Sequence, residues 1–348
     1  MNYEFEYFNA IKTEKKDIKE TLEHLKLNLL KIRKIPNIID SSKEYKTFEI
    51  EKKDSGVFIL VDKEITESVK IGIKFKDNHF KIKDIINREI PDLKQIPNSF
   101  QIIGTILHIN LNEEQLKYKK KIGQIFLKNV RNVKTVITKK GNIETSYRNC
   151  PIDFLAGKKD FKTVHIEGKC KFFIDYEKVY WNSKLQNERK KILENFKEGD
   201  IVVDGFCGVG PIAIPALKKG CKVYCNDLNP DAIDCLKKNI ELNKLKDNNV
   251  EIYNEDAKNF FKKVLKANYV FLNLPELSLS FLKYLKHLNE DCKVICFFFC
   301  PKKISVEEYL KEKNIQINKP EIEVARNVSP NKEMLVMNFR IADLSILD

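Results

Sequence analysis

The stretch Ile201-Val202-Val203-Asp204-Gly205-Phe206-Cys207-Gly208-Val209-Gly210-Pro211-Ile212-Ala213-Ile214 decides how this 348-residue chain reads. An apolar run of strand length ends in a carboxylate, passes a glycine-rich turn and opens into a helix. Pro211 suits the first helical position, because it lacks only a donor that would be unpaired there. Glycines let the backbone approach a ligand closely, and a helix start offers free N–H groups. The stretch therefore reads as a nucleotide-type ligand loop at the end of a buried strand.

Further strands are expected at Lys222–Cys225, Val250–Tyr253, Tyr269–Leu272 and Lys293–Phe299, with helices between them, notably Ala232–Leu242. This alternation predicts an α/β domain with a Rossmann-like, mostly parallel, doubly wound sheet over residues 176–348. Two smaller α+β domains are expected before it. Residues 1–95 are charged and mixed, with a helix near Lys15–Ile32 and strands at Val57–Val61 and Val69–Phe75. A linker is expected from Ile90-Pro91 to Pro97-Asn98. In residues 96–175 the pattern suggests a strand at Ile102–Asn110, a helix at Glu113–Leu127 and a strand at Thr135–Thr138. A hairpin of Thr163–Ile166 and Cys170–Ile174 turns at Glu167-Gly168.

The formal net charge of +13 and pI near 9.1 point to a polyanionic partner such as nucleic acid, although genome base composition alone can enrich Lys, Asn and Ile. Arginines are scarce, so Arg148, Arg189 and Arg326 stand out. None of the nine cysteines has zinc-ligand spacing. Cys292, Cys296 and Cys300 fit buried strand thiols. No signal pattern or membrane-length apolar run appears, so a soluble, intracellular chain is expected.

Ligands of open α/β sheets lie beyond the carboxyl ends of the strands. Those ends carry Asp204, Asp227, Glu255-Asp256 and Asn273-Leu274-Pro275. An acidic residue about 20 positions after the loop can accept from ribose hydroxyls. Gly208-x-Gly210-x-x-Ala213 also fits a dinucleotide fingerprint, so NAD competes. Asp227 and Asp256 can instead be helix N-caps. The acid before the glycines, Asp256 and Asn-Leu-Pro together resemble class I methyltransferases, which implies S-adenosylmethionine. Candidate cofactor contacts are Asp204, Phe206, Gly208 and Gly210 in the loop, Asp227 and Leu228 after the second strand, and Asp256 and Asn273 after the next two.

More motifs follow one another in order: Pro97-Asn98-Ser99-Phe100-Gln101-Ile102-Ile103-Gly104, Ser146-Tyr147-Arg148, Leu155-Ala156-Gly157, Lys178-Val179-Tyr180-Trp181-Asn182, Leu185, Glu188-Arg189 and Arg326-Asn327-Val328-Ser329-Pro330-Asn331-Lys332. With the glycine loop and Asn-Leu-Pro, they resemble the archaeal and eukaryotic tRNA (guanine-37 N1)-methyltransferase family from about residue 95 to 340. The resemblance implies methyl transfer to N1 of guanosine 37 in tRNA, by a monomer whose residues 1–95 dock the tRNA. It implies no membrane partner and a cytoplasmic or nuclear location, with an organellar pool left open.

N1 of guanine carries a proton at neutral pH, so methylation needs a base at N1 and a donor for charge developing on O6. The resemblance makes Glu188 the base and Arg148 the O6 stabiliser. Leu185, Ile192, Leu193 and Phe196 form a helical apolar stripe, and Glu188 lies on its buried side, where desolvation favours basicity. The alternative is a Glu paired with Arg189 or a lysine at the helix edge. Tyr180 would orient the flipped base or belong to the core, and Asn273 and Pro275 would line the pocket. Ser183-Lys184 replaces the Pro-Arg of many relatives, and Lys158 replaces an acid often found after Leu-Ala-Gly. Two other readings stand beside methyl transfer: a wybutosine-pathway aminocarboxypropyltransferase and a non-catalytic tRNA-binding protein.

Overall fold

The structure, a computed structural model, describes residues 6–25, 36–40, 48–51, 57–61, 68–75, 82–97, 99–139 and 151–346. It divides into two compact units, residues 1–98 with 111–131 and residues 99–110 with 132–348. The first unit holds an antiparallel sheet in the order Ile38–Asp40, Val57–Leu60, Glu6–Thr13, Val69–Phe75, Phe48–Ile50. Its first helix covers Ile18–Leu25, and the expected extension to Ile32 lies outside the described residues. Helix Ile82–Glu89 was not foreseen in the sequence.

The single helix expected at Glu113–Leu127 is two, Glu113–Leu116 and Lys119–Asn129. A capping box between Asn112 and Gln115 starts the first. It closes tightly, with Lys117 and Tyr118 N–H groups bonding three residues back, and that breaks the continuous helix.

In the second unit, strands Phe100–Ile103, Ile106–Ile109, Thr135–Lys139 and Ile152–Gly157 form one sheet. The strand expected at Ile102–Asn110 is folded into a hairpin at Gly104-Thr105. Gly104 has φ +56°, and a Cβ there would lie 2.1 Å from Thr163 Oγ1, so the chain turns where only glycine fits. The expected second hairpin is present as Lys162–Glu167 and Cys170–Asp175.

The seven-stranded sheet consists of β1 (Ile201–Asp204), β2 (Lys222–Asn226), β3 (Val250–Tyr253), β4 (Tyr269–Leu272), β5 (Lys293–Pro301), β6 (Glu321–Ser329) and β7 (Lys332–Arg340). Its order is β3-β2-β1-β4-β5-β7-β6, and β7 alone runs opposite to the other six strands. Helices are α1 (Gln186–Glu194), α2 (Ala213–Lys218), α3 (Pro230–Leu242), α4 (Ala257–Lys263), α5 (Ser278–Phe281) and α6 (Val306–Glu312). One core joins α1, α2, α3 and the second hairpin to one sheet face, through Ile192, Ile214, Leu236 and Phe172. The other packs Phe260, Phe281 and Leu310 of α4, α5 and α6 on the opposite face. Covering both faces is why the central strands read as unbroken apolar runs. Cys292, Cys296 and Cys300 are buried free thiols in or beside β5, as expected.

Asn239 of α3 is fully buried. Its amide donates to the Val209 and Phe173 carbonyls, and its oxygen accepts the Phe173 N–H. It thereby ties the glycine loop to the hairpin. Replacing it with Leu leaves three backbone groups unpaired in the core. We expect Asn239→Leu to cost about 2–4 kcal/mol, read as a lower urea midpoint at unchanged m-value; an unchanged midpoint would contradict this role.

Candidate active site

β1 ends at Asp204, which is buried on all sides, and its Oδ1 accepts the Phe206 N–H at 3.3 Å. The loop then crosses above β2. Cys207 N–H bonds to the Asn226 carbonyl at 2.8 Å, and the buried Asn226 amide donates to the carbonyls of Gly205 and Glu255. Asn226 thus pins the glycine loop to the turn after β3. Gly210, at φ +88°, has no room for a Cβ, which would meet Leu236 Cδ1 at 2.5 Å. A Cβ on Gly208 would meet nothing within 4 Å, so the loop faces open space there. The Ile214 N–H bonds to the Gly210 carbonyl, so Pro211 enters the turn leading to α2, whose regular span begins at Ala213.

Asp227 accepts the Gly208 N–H at 2.8 Å and the Asn229 N–H at 2.9 Å. The N-cap of α3 is Asn229, not Asp227, whereas Asp256 caps α4 through the Lys258 N–H at 2.8 Å. The capping alternative therefore describes Asp256. Leu228 follows Asp227 with half its surface exposed, an apolar side chain presented beside the loop. Phe206 is half-buried against Phe281. Open space before Gly208, carboxylates at two strand ends and an apolar rim at Leu228 fit a nucleoside-type ligand.

β4 runs into Asn273-Leu274-Pro275. The buried Ser278 hydroxyl accepts the Leu274 N–H at 3.0 Å and donates to the Leu272 carbonyl, and Pro275 accepts the Phe299 N–H. The turn is held rigidly by its backbone. No described residue hydrogen-bonds the Asn273 amide, which leaves its donors and acceptor for a ligand.

The stripe Leu185, Ile192 and Phe196 is buried as expected, and Glu188 is partly buried, its side chain 17% exposed. Lys191 Nζ lies 3.6 Å from its carboxylate. Arg189 takes another partner. Its guanidinium meets Glu167 at 2.7 and 2.5 Å, donates to the Asn182 carbonyl and lies over the Trp181 ring. Tyr180 is half-buried, its hydroxyl accepting from Asn182. Arg148 lies outside the described residues. The sequence reading missed the roles of Asn226, Asn239, Ser278 and the Arg189–Glu167 pair; scarcity of arginine was the one available signal, and it pointed to Arg189.

Residues 163–334 match the TRM5/TYW2 methyltransferase domain, and residues 82–160 match the TYW2 N-terminal domain. A tRNA (guanine(37)-N(1))-methyltransferase of Encephalitozoon cuniculi is 37% identical over 333 residues, covering 93% of this chain and 92% of that protein. The chain belongs to the tRNA (guanine(37)-N(1))-methyltransferase family. A member of that family from Entamoeba histolytica is 35% identical, covering 81% of this chain and 75% of its own. Among solved structures, Trm5b from Pyrococcus abyssi matches with TM-score 0.65 and 26% identity, covering 98% of this chain and 99% of its own. A complex of aTrm5 with tRNALeu matches with TM-score 0.67 and 25% identity, covering 95% and 99%. The family resemblance and the class I methyltransferase fold expected from the motifs are both borne out.

Burial pushes the Asp204 carboxyl up to about 8, with nearby Asp227 adding to the rise and the Phe206 N–H opposing it. Folding then favours the neutral acid. The stability it contributes is whole below the ordinary carboxylate range near pH 4 and is lost as pH rises to about 8, at roughly 1.4 kcal/mol per pH unit. Asp204→Asn should remove that fall. Urea unfolding of the ligand-free protein at pH 5 and pH 8 measures it, and parallel pH trends in both proteins would refute the assignment.

Proposed function

We propose that this chain transfers a methyl group from S-adenosylmethionine to N1 of guanosine 37 in tRNA. Identity to a named relative along nearly the whole of both chains carries the reading. The glycine loop, Asp227 and Leu228 at the carboxyl ends of β1 and β2 would hold the cofactor, together with Phe206, Asn273 and Asp256, which caps α4 through Oδ1 alone. When bound, S-adenosylmethionine supplies an electrophilic methyl group on a sulfonium.

The chain's own residues then prepare the base. Glu188 removes the N1 proton, because the protonated nitrogen has no free electron pair. Arg148 donates to O6 as negative charge gathers there, a task suited to a fixed guanidinium. The Asn273 amide, which no described residue hydrogen-bonds, reads the guanine edge, Pro275 closes the wall beside it, and Tyr180 orients the extruded ring. Position 37 lies in a loop, so extrusion costs less than in a duplex.

Residues 1–95 are assigned to docking the tRNA body, in keeping with the chain's net charge of +13. The protein is taken to act as a monomer in the cytoplasm or nucleus; no described helix is long and apolar enough to cross a membrane. The match of residues 82–160 to the TYW2 N-terminal domain sustains a second reading, transfer of the cofactor's aminocarboxypropyl group to tRNA.

Protein incubated with S-adenosylmethionine and tRNA transcripts bearing guanosine or adenosine at position 37 separates these readings. Nucleoside mass analysis should find 1-methylguanosine in the first transcript alone, and an aminocarboxypropyl adduct would establish the second reading. Glu188→Gln should slow methylation about 10²–10⁴-fold; an undiminished rate would remove Glu188 from the role of base.

A further inference from the structure

Asn182 stands where the chain leaves the second hairpin and approaches α1, and three separate contacts meet on it. Its Oδ1 accepts the Lys184 N–H at 3.0 Å and so caps the short helical turn Ser183–Leu185 that leads into α1. That bond fixes which end of the amide is oxygen, so Nδ2 faces the Tyr180 hydroxyl and donates to it at 3.2 Å. The Asn182 carbonyl accepts from the buried Arg189 guanidinium at 3.1 Å, which Glu167 and the Trp181 ring hold in turn. Ser183, in place of the proline of many relatives, accepts the Trp181 indole N–H at 3.0 Å and braces the residues on either side of Asn182. Backbone and side chain of Asn182 are both fixed.

The Tyr180 ring has a second support. The Lys139 ammonium, at the end of strand Thr135–Lys139, lies 5.8 Å from its centroid and 5.0 Å from that of Tyr176. A cation at about 6 Å or less is attracted to an aromatic ring. Tyr176 is itself buried, with its hydroxyl 3.2 Å from His108 Nδ1. Tyr180 is therefore held by its hydroxyl and by its ring, yet stays half-buried. A ring fixed in this way receives a base without first losing rotamer freedom.

We propose that Asn182 is a positioning residue for methyl transfer: its amide holds the Tyr180 ring in the pose that receives guanosine 37, and Arg189 holds Asn182. The proposal rests on the reading of Tyr180 as the residue that orients the extruded base. Bases of single-stranded RNA loops are taken up by stacking on aromatic side chains, and that contact depends on the pose of the ring. The bond from Arg189 to the Asn182 carbonyl spans the start of α1. The rotation of that helix, which carries Glu188, and the pose of Tyr180 are thus set together.

Single-turnover methylation at saturating S-adenosylmethionine is followed over a range of tRNA concentrations in wild type, Asn182→Ser, Tyr180→Phe, the variant carrying both, and Tyr180→Ala. Serine keeps the cap but is too short to reach the Tyr180 hydroxyl. Asn182→Ser should lower the rate at saturating tRNA roughly three- to tenfold, the size of one neutral hydrogen bond, with half-saturation in tRNA within about twofold. Tyr180→Phe should lower it by the same factor. The variant carrying both should be no slower than either alone, since each removes the same bond. S-adenosylmethionine affinity, measured by equilibrium dialysis, should be unchanged throughout.

Effects that multiply in the variant carrying both substitutions would overturn the proposal, because Asn182 would then act elsewhere than on the Tyr180 hydroxyl. A defect of Asn182→Ser confined to half-saturation in tRNA would overturn it by making Asn182 an RNA contact, and a loss of S-adenosylmethionine affinity would do so by making it a residue of the fold. If Tyr180→Ala is slow while Asn182→Ser matches wild type, the reading of Tyr180 stands and this proposal falls alone. Full activity in Tyr180→Ala would remove the reading of Tyr180 itself, and the proposal with it.

Discussion

The Asn239 side chain has no access to water, and three backbone groups on two other segments depend on it. Apolar packing is close to non-directional, so it brings α3, the hairpin and the glycine loop together without fixing their register. A buried amide does fix it, because each donor and acceptor must meet a partner or leave a costly unpaired group. Asn243, one turn further along α3, repeats the arrangement on both backbone groups of Lys171. The start of α3 is set by Asn229, whose N–H is held by Asp227 while Asp227 also holds Gly208. The ligand loop is therefore positioned at both ends of one helix.

Glu188 and Arg189 are neighbours in sequence with opposite surroundings. Successive helical residues point about 100° apart, so Arg189 turns toward the hairpin and Glu188 toward a cavity walled by α1, β5, β6 and β7. The Arg189–Glu167 pair is almost entirely buried, with side-chain exposures of 6% and 9%. Such a pair adds little net stability, since desolvation offsets attraction, but breaking it strands a charge. Its effect is orientational. A two-pronged contact with Glu167, a third bond to Asn182 and the Trp181 face fix the rotation of α1 about its axis. Glu188 is then presented with Lys191 Nζ 3.6 Å from its carboxylate.

Much of the α/β domain was legible in the sequence, for a physical reason. Strands covered on both faces must be apolar, so Ile201–Val203, Tyr269–Leu272 and Val294–Phe299 stand out between polar turns, whereas the edge strand Val250–Tyr253 is half-buried and keeps Glu251. The elements misread were those whose limits depend on distant contacts. Ile102–Asn110 looks continuous until Thr163 crowds Gly104, and that contact joins residues far apart in the chain. Glu113–Leu127 keeps a helical pattern through a break imposed by its own first turn. The site shows the same division. Asp227 and Asn273 could be placed from strand ends alone, but a cap and a ligand contact use the same residue type, so the strand end could not show that Asp256 caps α4. Glu167 lies 22 residues from Arg189, on a hairpin whose packing no local pattern records.

Asp204 runs against the rule that buried charges are paired. Among the described residues it has no cation partner, one backbone donor and a second carboxylate nearby. An apolar or amide side chain would suit the empty fold better at neutral pH, so the carboxyl lowers the stability of the ligand-free protein. Departures of this kind are expected where a site serves a ligand instead of the fold. The linkage has a definite direction. A positively charged ligand near Asp204 favours its ionised form, and by reciprocity the ionised form binds that ligand more tightly. Binding would then release a proton, and affinity would rise with pH until Asp204 is fully ionised. A ligand carrying a sulfonium and an ammonium offers such a return for burying a carboxyl, whereas a wholly anionic or neutral one does not. The acid that precedes the glycines thus favours a cationic ligand, a requirement that the glycines alone do not impose.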